Sequence, residues 1–385
     1  MEDAVIVATA RTPIGRAVKG SLKDVRADDL VGFIIADLMA KVPQVEGADV
    51  DDVVCGVANA TGQQSRNLGR LAGQLGGLPN TVAGTTVQRA CASSLQAIRV
   101  AAHAVRAGEG DIFVAAGVEA VSQFYEPQDP GNPRFMDDGR DDYLDDFYIP
   151  MGLTAENVAT KYDVSRERMD EFAKLSQDRA VAAQNNGFFD REITPFPLAD
   201  GSLVTRDDGP RDGVTLEGLA QLKPAFLPDG RVTAGNACPL NDGAAAVMVM
   251  SASRAAELGV TPLARIVASA VSGLDPKIMG VGPIEAVGRV LDRAGMKIGD
   301  IDVVELNEAF AAQVLPICDE VGISIEGQLN PHGGAIAVGH PFGMTGARIM
   351  TTLINDLQTL DGGFGIETMC VGGGQGMAMI IERLS

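Results

Sequence analysis

The sequence predicts a layered α/β protein made of two related halves. Apolar runs typical of buried strands alternate along the chain with segments that have the period of amphipathic helices. The same order of elements occurs near the start and again after residue 260, and two segments are alike: residues 49–54 are DVDDVV and residues 298–304 are IGDIDVV. Each half also ends in a short apolar strand, at residues 247–250 and 377–381. We therefore expect a repeated α/β unit with the chemistry between the two copies.

Length and composition indicate how the chain is divided into domains. Its 385 residues are enough for two or three packed units. Residues 126–150 are rich in Asp, Pro, Gly and aromatic residues without any period, and residues 191–228 are also typical of loops. We predict a first half formed by residues 1–118 and 233–259, an inserted loop domain at residues 119–232, and a second half at residues 260–385.

The first half is predicted to alternate between strand and helix. Its predicted strands are residues 4–8, 50–57, 85–87, 111–116 and 244–250, of which the first and the last two are apolar runs. Residues 85–87 are expected to be the end of a buried strand. The predicted helices are residues 27–40 and a segment that starts near Cys91 and stops at Gly108.

The inserted segment and the second half are predicted in the same way. The insert holds a helix at residues 154–162 and another with Ser165 as N-cap and Asn186-Gly187 as stop. The second half holds strands at residues 263–268, 301–305, 364–370 and 376–381, and helices at residues 283–294, 307–321 and 343–357.

Charge and hydropathy exclude several classes of protein. Thirty-one basic and fifty-one acidic residues give a net charge of −20, so neither nucleic acid nor an anionic membrane is an expected partner. A polyanionic ligand would need a local basic patch. The sequence has no apolar run of transmembrane length, and its N-terminal residues lack the basic flank of a signal peptide. We expect a cytoplasmic protein.

The five cysteines are odd in number, widely spaced and free of any Cys-x-x-Cys motif. Neither a disulfide framework nor a zinc site is therefore predicted. The aspartate run at residues 137–146 is interpreted as a solvated loop, not a metal site. Cys55, inside a predicted strand, is assigned to the core. We expect no bound metal and a reducing compartment.

Cys91 lies in the predicted turn between the strand at residues 85–87 and the following helix. Unpaired N–H groups and the positive end of a helix dipole favour a thiolate at such a position, which would lower the thiol pKa and give a nucleophile at neutral pH. Free cysteines are equally often small apolar residues of the core. Position alone leaves both interpretations open.

Two further segments carry groups suited to catalysis. Of the three histidines, His103 falls mid-helix and is interpreted as structural, whereas His332 and His340 lie in a glycine-rich loop before a predicted helix. His340, between a glycine and a proline, is better placed to be held rigidly in a cleft. Cys370 ends a strand and opens the segment CVGGGQG. Its glycines would let backbone N–H groups approach a ligand closely, or would simply form a turn.

Together these motifs resemble the thiolases, that is, the acetyl-CoA acetyltransferases and 3-ketoacyl-CoA thiolases. The matching segments follow the family's order and cover essentially the whole chain: residues 91–97 (CASSLQA), 152–158 (GLTAENV), 233–244 (TAGNACPLNDGA), 307–311 (NEAFA), 330–346 and 370–374 (CVGGG). Any one motif is weak, and their combination is highly specific. The resemblance implies a thiolase-like fold, with two related α/β halves and an inserted loop domain that binds CoA and substrate.

The resemblance implies a ping-pong acyl transfer. Cys91 would be the nucleophile that takes the acyl group, and His340 would deprotonate it and then join an oxyanion hole with a water held by Asn307. Cys370 would be the general acid and base. The backbone N–H groups of Cys91 and Gly372 would form the second oxyanion hole. These groups suit a carbon–carbon cleavage in which the enzyme must stabilise an enolate and a tetrahedral oxyanion. Asn307 could alternatively cap the following helix.

Coenzyme A or acetyl-CoA is expected as a substrate, with no permanently bound cofactor. Arg211 matches a family arginine near the nucleotide end of CoA, and Cys238 stands where many members have a serine that touches the pantetheine arm. Gln88 replaces a common asparagine before Arg89, and Pro150 stands where some biosynthetic members have a histidine. The last departure favours the degradative, fatty-acid β-oxidation type of the family.

Two alternatives stay open from the sequence. A β-ketoacyl synthase-like enzyme would pair its cysteine with two histidines, and His332 could supply the second. A catalytically inactive acyl-binding relative would be expected to lack Cys91, His340 or Cys370, and all three are present. The family also implies a homodimer or homotetramer, and we expect the tetramer's additional interface in the loop at residues 126–150.

Overall fold

The computed structural model describes residues 2–124, 131–135, 139–144 and 146–385. Its strands are β1 (Ala4–Arg11), β2 (Gly15–Arg16), β3 (Asp52–Gly56), β4 (Ala83–Val87), β5 (Ile112–Ala120), β6 (Phe196–Pro197), β7 (Leu203–Val204), β8 (Asn241–Ser251), β9 (Ala264–Gly273), β10 (Val303–Leu306), β11 (Phe364–Val371) and β12 (Gln375–Arg383). Its α-helices are α1 (Ala27–Ala40), α2 (Leu68–Leu75), α3 (Ser93–Ala107), α4 (Met151–Lys161), α5 (Arg166–Asn185), α6 (Leu216–Ala220), α7 (Ala252–Leu258), α8 (Gly282–Ala294), α9 (Ala311–Val321), α10 (Ala335–Val338) and α11 (Thr345–Thr359).

The order of strands in the main sheet shows two related halves. The sheet follows β10-β11-β12-β9-β1-β8-β5-β3-β4, and β2 pairs with β8. In the first half β8 is antiparallel to β1 and β5, and β5 is parallel to β3. In the second half β12 is antiparallel to β9 and β11, and β11 is parallel to β10. The same order and directions in both halves confirm the predicted repeat of an α/β unit.

Alternation along the strands places each half of the sheet between two layers of helix. In β1, Val5 and Val7 lie in the apolar cluster that contains Leu30 and Ile34 of α1, whereas Ile6 lies in the cluster shared by α3 and α11. β12 alternates in the same way between the α3–α11 cluster and a third cluster built on α8 and α9. The helices α3 and α11 therefore form a central layer.

The two central helices meet at their N-terminal ends. A Cβ on Gly346 would lie 2.3 Å from the backbone nitrogen of Leu95, so glycine is required for this close approach. Beside it, the Ala347 N–H donates to Ser94 Oγ at 2.9 Å. Cys91 lies two residues before the start of α3, and His340 lies five residues before the start of α11. The contact between these helices therefore positions groups from different halves relative to one another.

Several boundaries differ from the sequence prediction for identifiable reasons. The strand expected to be buried at residues 85–87 belongs to β4, whose residues are half-buried or exposed because this strand is at the edge of the sheet. The helix expected from Asn307 begins at Ala311, because Phe310 has an extended backbone (φ −149°, ψ 137°) and is the N-cap. The helix expected from Gly343 begins at Thr345.

The inserted segment is more regular than its composition suggests. Ser165 caps α5 as predicted, since its side chain accepts the Arg168 N–H at 3.1 Å. The strands β6 and β7 and the helix α6 occupy a stretch expected to be a loop. Of the predicted surface excursion at residues 126–150, residues 126–130, 136–138 and 145 lie outside the described residues. The domain boundaries stay a prediction.

None of the helices in the described part of the chain combines the length and hydropathy that a membrane span requires.

Two buried glutamates face each other in the second half. Glu305 of β10 and Glu367 of β11 are cross-strand partners, and both are essentially inaccessible to solvent. Arg348 of α11 lies 3.8 Å from a Glu305 oxygen, while neither carboxylate oxygen of Glu367 has a hydrogen-bond donor among the described residues. Burial raises the pKa of Glu367 well above its ordinary value, opposed by Arg348 and reinforced by Glu305.

We predict that Glu367→Gln stabilises the protein at alkaline pH. Because the pKa of Glu367 is higher in the folded than in the unfolded state, the folded state holds a proton that the unfolded state has lost, and stability falls as pH rises from about 4.5 towards the folded pKa. The glutamine variant has no proton to lose at this position, so its advantage in the free energy of unfolding over the wild type grows with pH. It reaches about 1 kcal/mol or more at pH ~8. Thermal unfolding of both proteins at acidic and alkaline pH measures the difference.

The matched control is Glu109→Gln, which changes an exposed glutamate and should have the same small effect at both pH values. A loss of stability in Glu367→Gln that is independent of pH would show that this glutamate is held by hydrogen bonds and not raised in pKa.

Candidate active site

Cys91 lies at the apex of a tight turn between β4 and α3, where the sequence placed it. The preceding residue, Ala90, has a positive φ of 43°, a strained conformation for a residue with a side chain. The Ser93 hydroxyl holds the turn by accepting the Arg89 N–H at 2.9 Å and lying 2.6 Å from the Ala90 carbonyl oxygen. The turn therefore presents the thiol in one fixed direction, in front of α3.

Two backbone N–H groups are close enough to the Cys91 sulfur to lower its pKa. One belongs to Cys91 itself and the other to Gly372, which follows β11 in the second half of the chain. Gly373 and Gly374 have φ values of 79° and 77°, which explains the run of glycines at this turn. The structure thus brings together the two N–H groups that the sequence assigned to one oxyanion hole.

The Cys91 thiol is neutral in the free protein. Burial is the largest cause that raises its pKa, to about 12, and the Glu119 carboxylate adds to it, while the two N–H groups oppose it. The sequence-based prediction of a lowered pKa is wrong for this state of the site. The reason is that α3 begins two residues later, at Ser93, and the favourable effect of its dipole is outweighed by desolvation of the half-buried thiol and by the Glu119 carboxylate.

His340 is buried and held as a neutral imidazole. Its Nδ1 lies 2.6 Å from Thr345 Oγ1, whose hydroxyl donates to the Pro341 carbonyl oxygen at 2.8 Å. The hydroxyl therefore accepts the Nδ1 proton, which leaves Nε2 unprotonated and able to act as a base. Burial, and then the charge of Arg348, lower the pKa of His340 to about 3.

Asn307 lies beside that base. Its Nδ2 is 3.3 Å from His340 Nε2, and its buried Oδ1 has no donor among the described residues. The backbone N–H of Asn307 donates to the Thr368 carbonyl oxygen at 3.0 Å, which fixes the residue after β10. The alternative that Asn307 caps a helix is wrong, because Phe310 is the N-cap of α9.

Cys370 is buried near the end of β11, close enough to Cys91 and Cys238 for their charges to affect it. Its Sγ lies 3.5 Å from Gln313 Oε1 on α9. Burial raises the pKa of Cys370 well above its ordinary value, and the other two thiols add to the shift. Sequence analysis missed Gln313, although it is a polar residue within an apolar helical segment, which is a signal of a buried polar contact.

The residues predicted to contact CoA line one cleft. Arg211 and Cys238 both border a cavity of about 400 Å³, together with Arg16 and Lys19. The Arg211 backbone is fixed by a 2.9 Å hydrogen bond from its N–H to Gln177 Oε1, and its side chain is close enough to Arg16 to lower its pKa, after the larger effect of burial. This cleft supplies the local basic patch that a polyanionic ligand needs, and Arg16 and Lys19 are members that sequence analysis missed.

Comparison with known proteins agrees with this geometry. The family model "Thiolase, N-terminal domain" matches residues 4–253, and "Thiolase, C-terminal domain" matches residues 260–383. Over the full length of both chains, the sequence is 44% identical to a β-ketoadipyl-CoA thiolase of Acinetobacter baylyi and 44% identical to a 3-ketoacyl-CoA thiolase of Idiomarina loihiensis. The chain belongs to the thiolase family. Its structure superimposes on the crystal structure of Bacillus anthracis acetyl-CoA acetyltransferase with a TM-score of 0.90 and 39% identity, covering 100% of this chain and 99% of that one.

As a thiolase, the protein is an acyltransferase, and the β-ketoacyl synthase-like alternative loses its support. His332, the histidine that would have completed such a site, is bonded through Nδ1 to Asp356 and stacks on Phe188 with ring centroids 3.6 Å apart. These contacts give it a structural role. His103 lies on α3 with most of its side chain exposed, and partial desolvation, followed by the charges of neighbouring arginines, lowers its pKa.

Glu119 connects the two halves of this thiolase behind the nucleophile, and sequence analysis did not find it. Its carboxylate accepts the N–H groups of Ala58 and Gly343 at 2.9 and 2.8 Å, and it also accepts bonds from Asn59 and Gln64. Burial raises the pKa of Glu119 to about 7 against these four donors. Gly343 lies three residues after His340, so Glu119 positions the histidine loop of one half against the cysteine half.

We predict that alkylation of Cys91 by iodoacetamide in the free thiolase accelerates with pH without reaching a plateau near neutrality. Below a thiol pKa of about 12, the thiolate fraction rises with every unit of pH, by about tenfold per unit. Peptide mass mapping of the Cys91 peptide after timed alkylation gives the rate. A plateau at about pH 7 would contradict the prediction, because it would indicate a preformed thiolate–imidazolium pair.

The variant Glu119→Gln tests the origin of the shift. Loss of the negative charge should lower the pKa of Cys91, so the variant is alkylated faster than the wild type above pH ~7, where Glu119 ionises, and at a similar rate below it. An equal rate ratio at all pH values would assign the change to altered packing.

Proposed function

We propose that this thiolase catalyses the CoA-dependent cleavage of a 3-ketoacyl-CoA, and the reverse condensation, through a thioester on Cys91. The observation that carries this proposal is the proximity of two thiols from different halves, the half-buried Cys91 and the buried Cys370, with the N–H groups of Cys91 and Gly372 close to the Cys91 sulfur. A nucleophile, an oxyanion hole and a separate acid are what this reaction requires.

In the first step, His340 Nε2 removes the Cys91 proton as the sulfur attacks the 3-keto carbon of the substrate. The oxyanion that forms accepts hydrogen bonds from the N–H groups of Cys91 and Gly372. The bond between C2 and C3 then breaks, and its electron pair becomes the enolate of acetyl-CoA, stabilised at its thioester oxygen by the imidazolium of His340 and by a water that Asn307 binds. Cys370 gives its proton to C2, which leaves acetyl-CoA and acyl-Cys91.

In the second step, free CoA resolves the acyl-enzyme. The Cys370 thiolate accepts the proton of the CoA thiol, whose sulfur attacks the acyl carbon. The second tetrahedral oxyanion uses the same two N–H groups. Its collapse releases the shortened acyl-CoA and the Cys91 sulfur, which recovers its proton from His340. Every proton is returned to its starting group at the end of the cycle.

The CoA nucleotide is proposed to lie in the cleft that contains Arg16, Lys19 and Arg211, with Cys238 beside the pantetheine arm. We infer a degradative enzyme, because Pro150, the N-cap of α4, stands where some biosynthetic members have a histidine. The relatives named above divide between 3-ketoacyl-CoA and β-ketoadipyl-CoA thiolases, so a fatty acyl chain is one of two candidate substrates. The half-exposed edge strand β4 supports a homodimer or homotetramer, and the reduced thiols of the site support a cytoplasmic location.

We predict that the purified enzyme cleaves short 3-ketoacyl-CoAs only when CoA is present, and that Cys91→Ala reduces kcat/KM by about 10³-fold or more. The alanine variant keeps the turn but has no atom that can carry the acyl group. Loss of the 3-ketoacyl-CoA, followed over a series of chain lengths, measures cleavage and defines the preferred acyl group.

Cys55→Ala is the matched control, since it removes a thiol from β3 that has no place in the mechanism. Equal residual activity in Cys91→Ala and the wild type would exclude Cys91 as the nucleophile. Absence of cleavage by the wild type with every substrate would favour the inactive acyl-binding alternative.

A further inference from the structure

Gln313 carries a buried amide that contacts the thiol proposed as acid and base. The residue lies in the first turn of α9 and is 2% exposed. Its Oε1 accepts the thiol proton of Cys370, whose Sγ is 3.5 Å away, and its Nε2 lies 3.8 Å from Met279 Sδ. Among the residues that the structure describes, no other group forms a hydrogen bond with this amide. A thioether is a weak acceptor, so the amide nitrogen is only weakly held.

Gly280 provides the space that this amide occupies. A Cβ on Gly280 would lie 2.2 Å from Cγ and Cδ of Gln313, so any side chain there would displace the amide. The oxygen and the amino group of an amide are similar in size, and the last torsion of a glutamine side chain has a broad, roughly two-fold profile. A half-turn about the Cγ–Cδ bond therefore exchanges Oε1 and Nε2 without a change in packing, and the hydrogen bond that it breaks on the far side is the weak one to Met279.

Cys370 passes through two protonation states in the proposed cycle. It is a thiol until it gives its proton to C2 of the substrate, and a thiolate until it takes the proton of the CoA thiol. Burial is the largest cause that raises the pKa of Cys370, and the thiols of Cys91 and Cys238 add to it, whereas its own backbone N–H opposes it. A hydrogen-bond acceptor stabilises the thiol and a donor stabilises the thiolate. A single fixed acceptor would therefore stabilise only the first of the two states.

We propose that Gln313 is a positioning residue that stabilises both states of Cys370 by rotating its amide between them. This inference rests on the proposed function. With the thiol, Oε1 accepts the S–H group, as the structure shows. After Cys370 has given its proton to C2, a half-turn about Cγ–Cδ brings Nε2 to the sulfur, and an N–H group donates to the thiolate. The amide rotates back when Cys370 takes the proton of the CoA thiol. Gln313 itself gains and loses no proton, so the balance of the cycle is unchanged.

The first test variant is Gln313→Met, whose side chain has a similar length but neither the N–H donor nor the carbonyl acceptor. We expect kcat for cleavage of a short 3-ketoacyl-CoA to fall by about 10- to 100-fold at every pH, because both states of Cys370 lose their partner. The KM should change little, since the effect is on proton transfer and not on binding. The rate at which iodoacetamide alkylates Cys91 should stay within about twofold of the wild-type rate, which excludes a general loosening of the site.

The second variant, Gln313→Glu, tests the exchange of acceptor and donor through the pH profile of kcat. A protonated carboxyl group can accept from the thiol and donate to the thiolate, whereas a carboxylate can only accept. We expect a kcat within about fivefold of the wild type at acidic pH and a new fall of up to about tenfold per pH unit above the pKa of the introduced carboxyl. The matched control is Gln184→Glu, which introduces the same group at a half-buried position of α5 outside the proposed mechanism and should show no new fall.

The outcomes separate this inference from the proposed function. Absence of cleavage by the wild type removes the proposed function, whereas an active wild type with an unchanged kcat in Gln313→Met overturns the role of Gln313 alone. Equal falls in both variants at every pH would show that Gln313 only fills space, and an alkaline limb moved to lower pH in Gln313→Met would show that it only accepts; either result overturns the proposal.

If neither variant of Gln313 folds, Gly280→Ala decides, because its methyl group displaces the amide and removes no polar group. A fall in kcat with an unchanged rate of Cys91 alkylation supports the proposal, and an unchanged kcat contradicts it.

Discussion

The site depends on the contact between the N-terminal ends of the two central helices. Cys91 enters from the first half, and Gly372, Cys370 and His340 enter from the second, so no half contains a complete site. Glu119 makes the connection specific, because one carboxylate binds backbone N–H groups on both sides. The glycine at position 346 permits the close approach. In the proposed mechanism, a shift of about 1 Å at this contact would separate the Cys91 sulfur from the N–H groups of its oxyanion hole, and positioning errors of that size are costly in catalysis.

Burial then determines the resting protonation state. The same enclosure that strengthens hydrogen bonds to an oxyanion also disfavours an isolated thiolate or imidazolium, so both partners are neutral until a substrate is present. A thiol that ionises only as it attacks is protected from oxidation and from other electrophiles. The neutral imidazole, with its Nδ1 proton fixed by Thr345, is the base that such a thiol requires. The proposed mechanism therefore requires the proton to move from Cys91 to His340 as the sulfur attacks.

Local sequence patterns predicted most of the helices and strands. The properties that sequence analysis missed depend on contacts between residues far apart in the chain. The apolar periods of β8 and α1 and the Ser165 cap follow from short-range chemistry, so they could be predicted from the sequence. The pKa of Cys91 could not, because Glu119 is 28 residues away in the chain and its position depends on the fold. Arg16 and Gln313 were missed for the same reason. Cys91, His340 and Cys370 could be named because family motifs carry tertiary information that composition and period lack.

The charge distribution resolves an apparent conflict between a net charge of −20 and anionic substrates. At physiological ionic strength, charges more than about 8 Å apart at the surface are largely screened, so a ligand near the site is affected mainly by its immediate neighbours. In the cleft proposed for CoA those neighbours are the cations Arg16, Lys19 and Arg211. The acidic surface keeps the protein soluble and away from polyanions. Under the proposed function, an anionic ligand binds where the fold concentrates positive charge, in the cleft that Cys238 also lines.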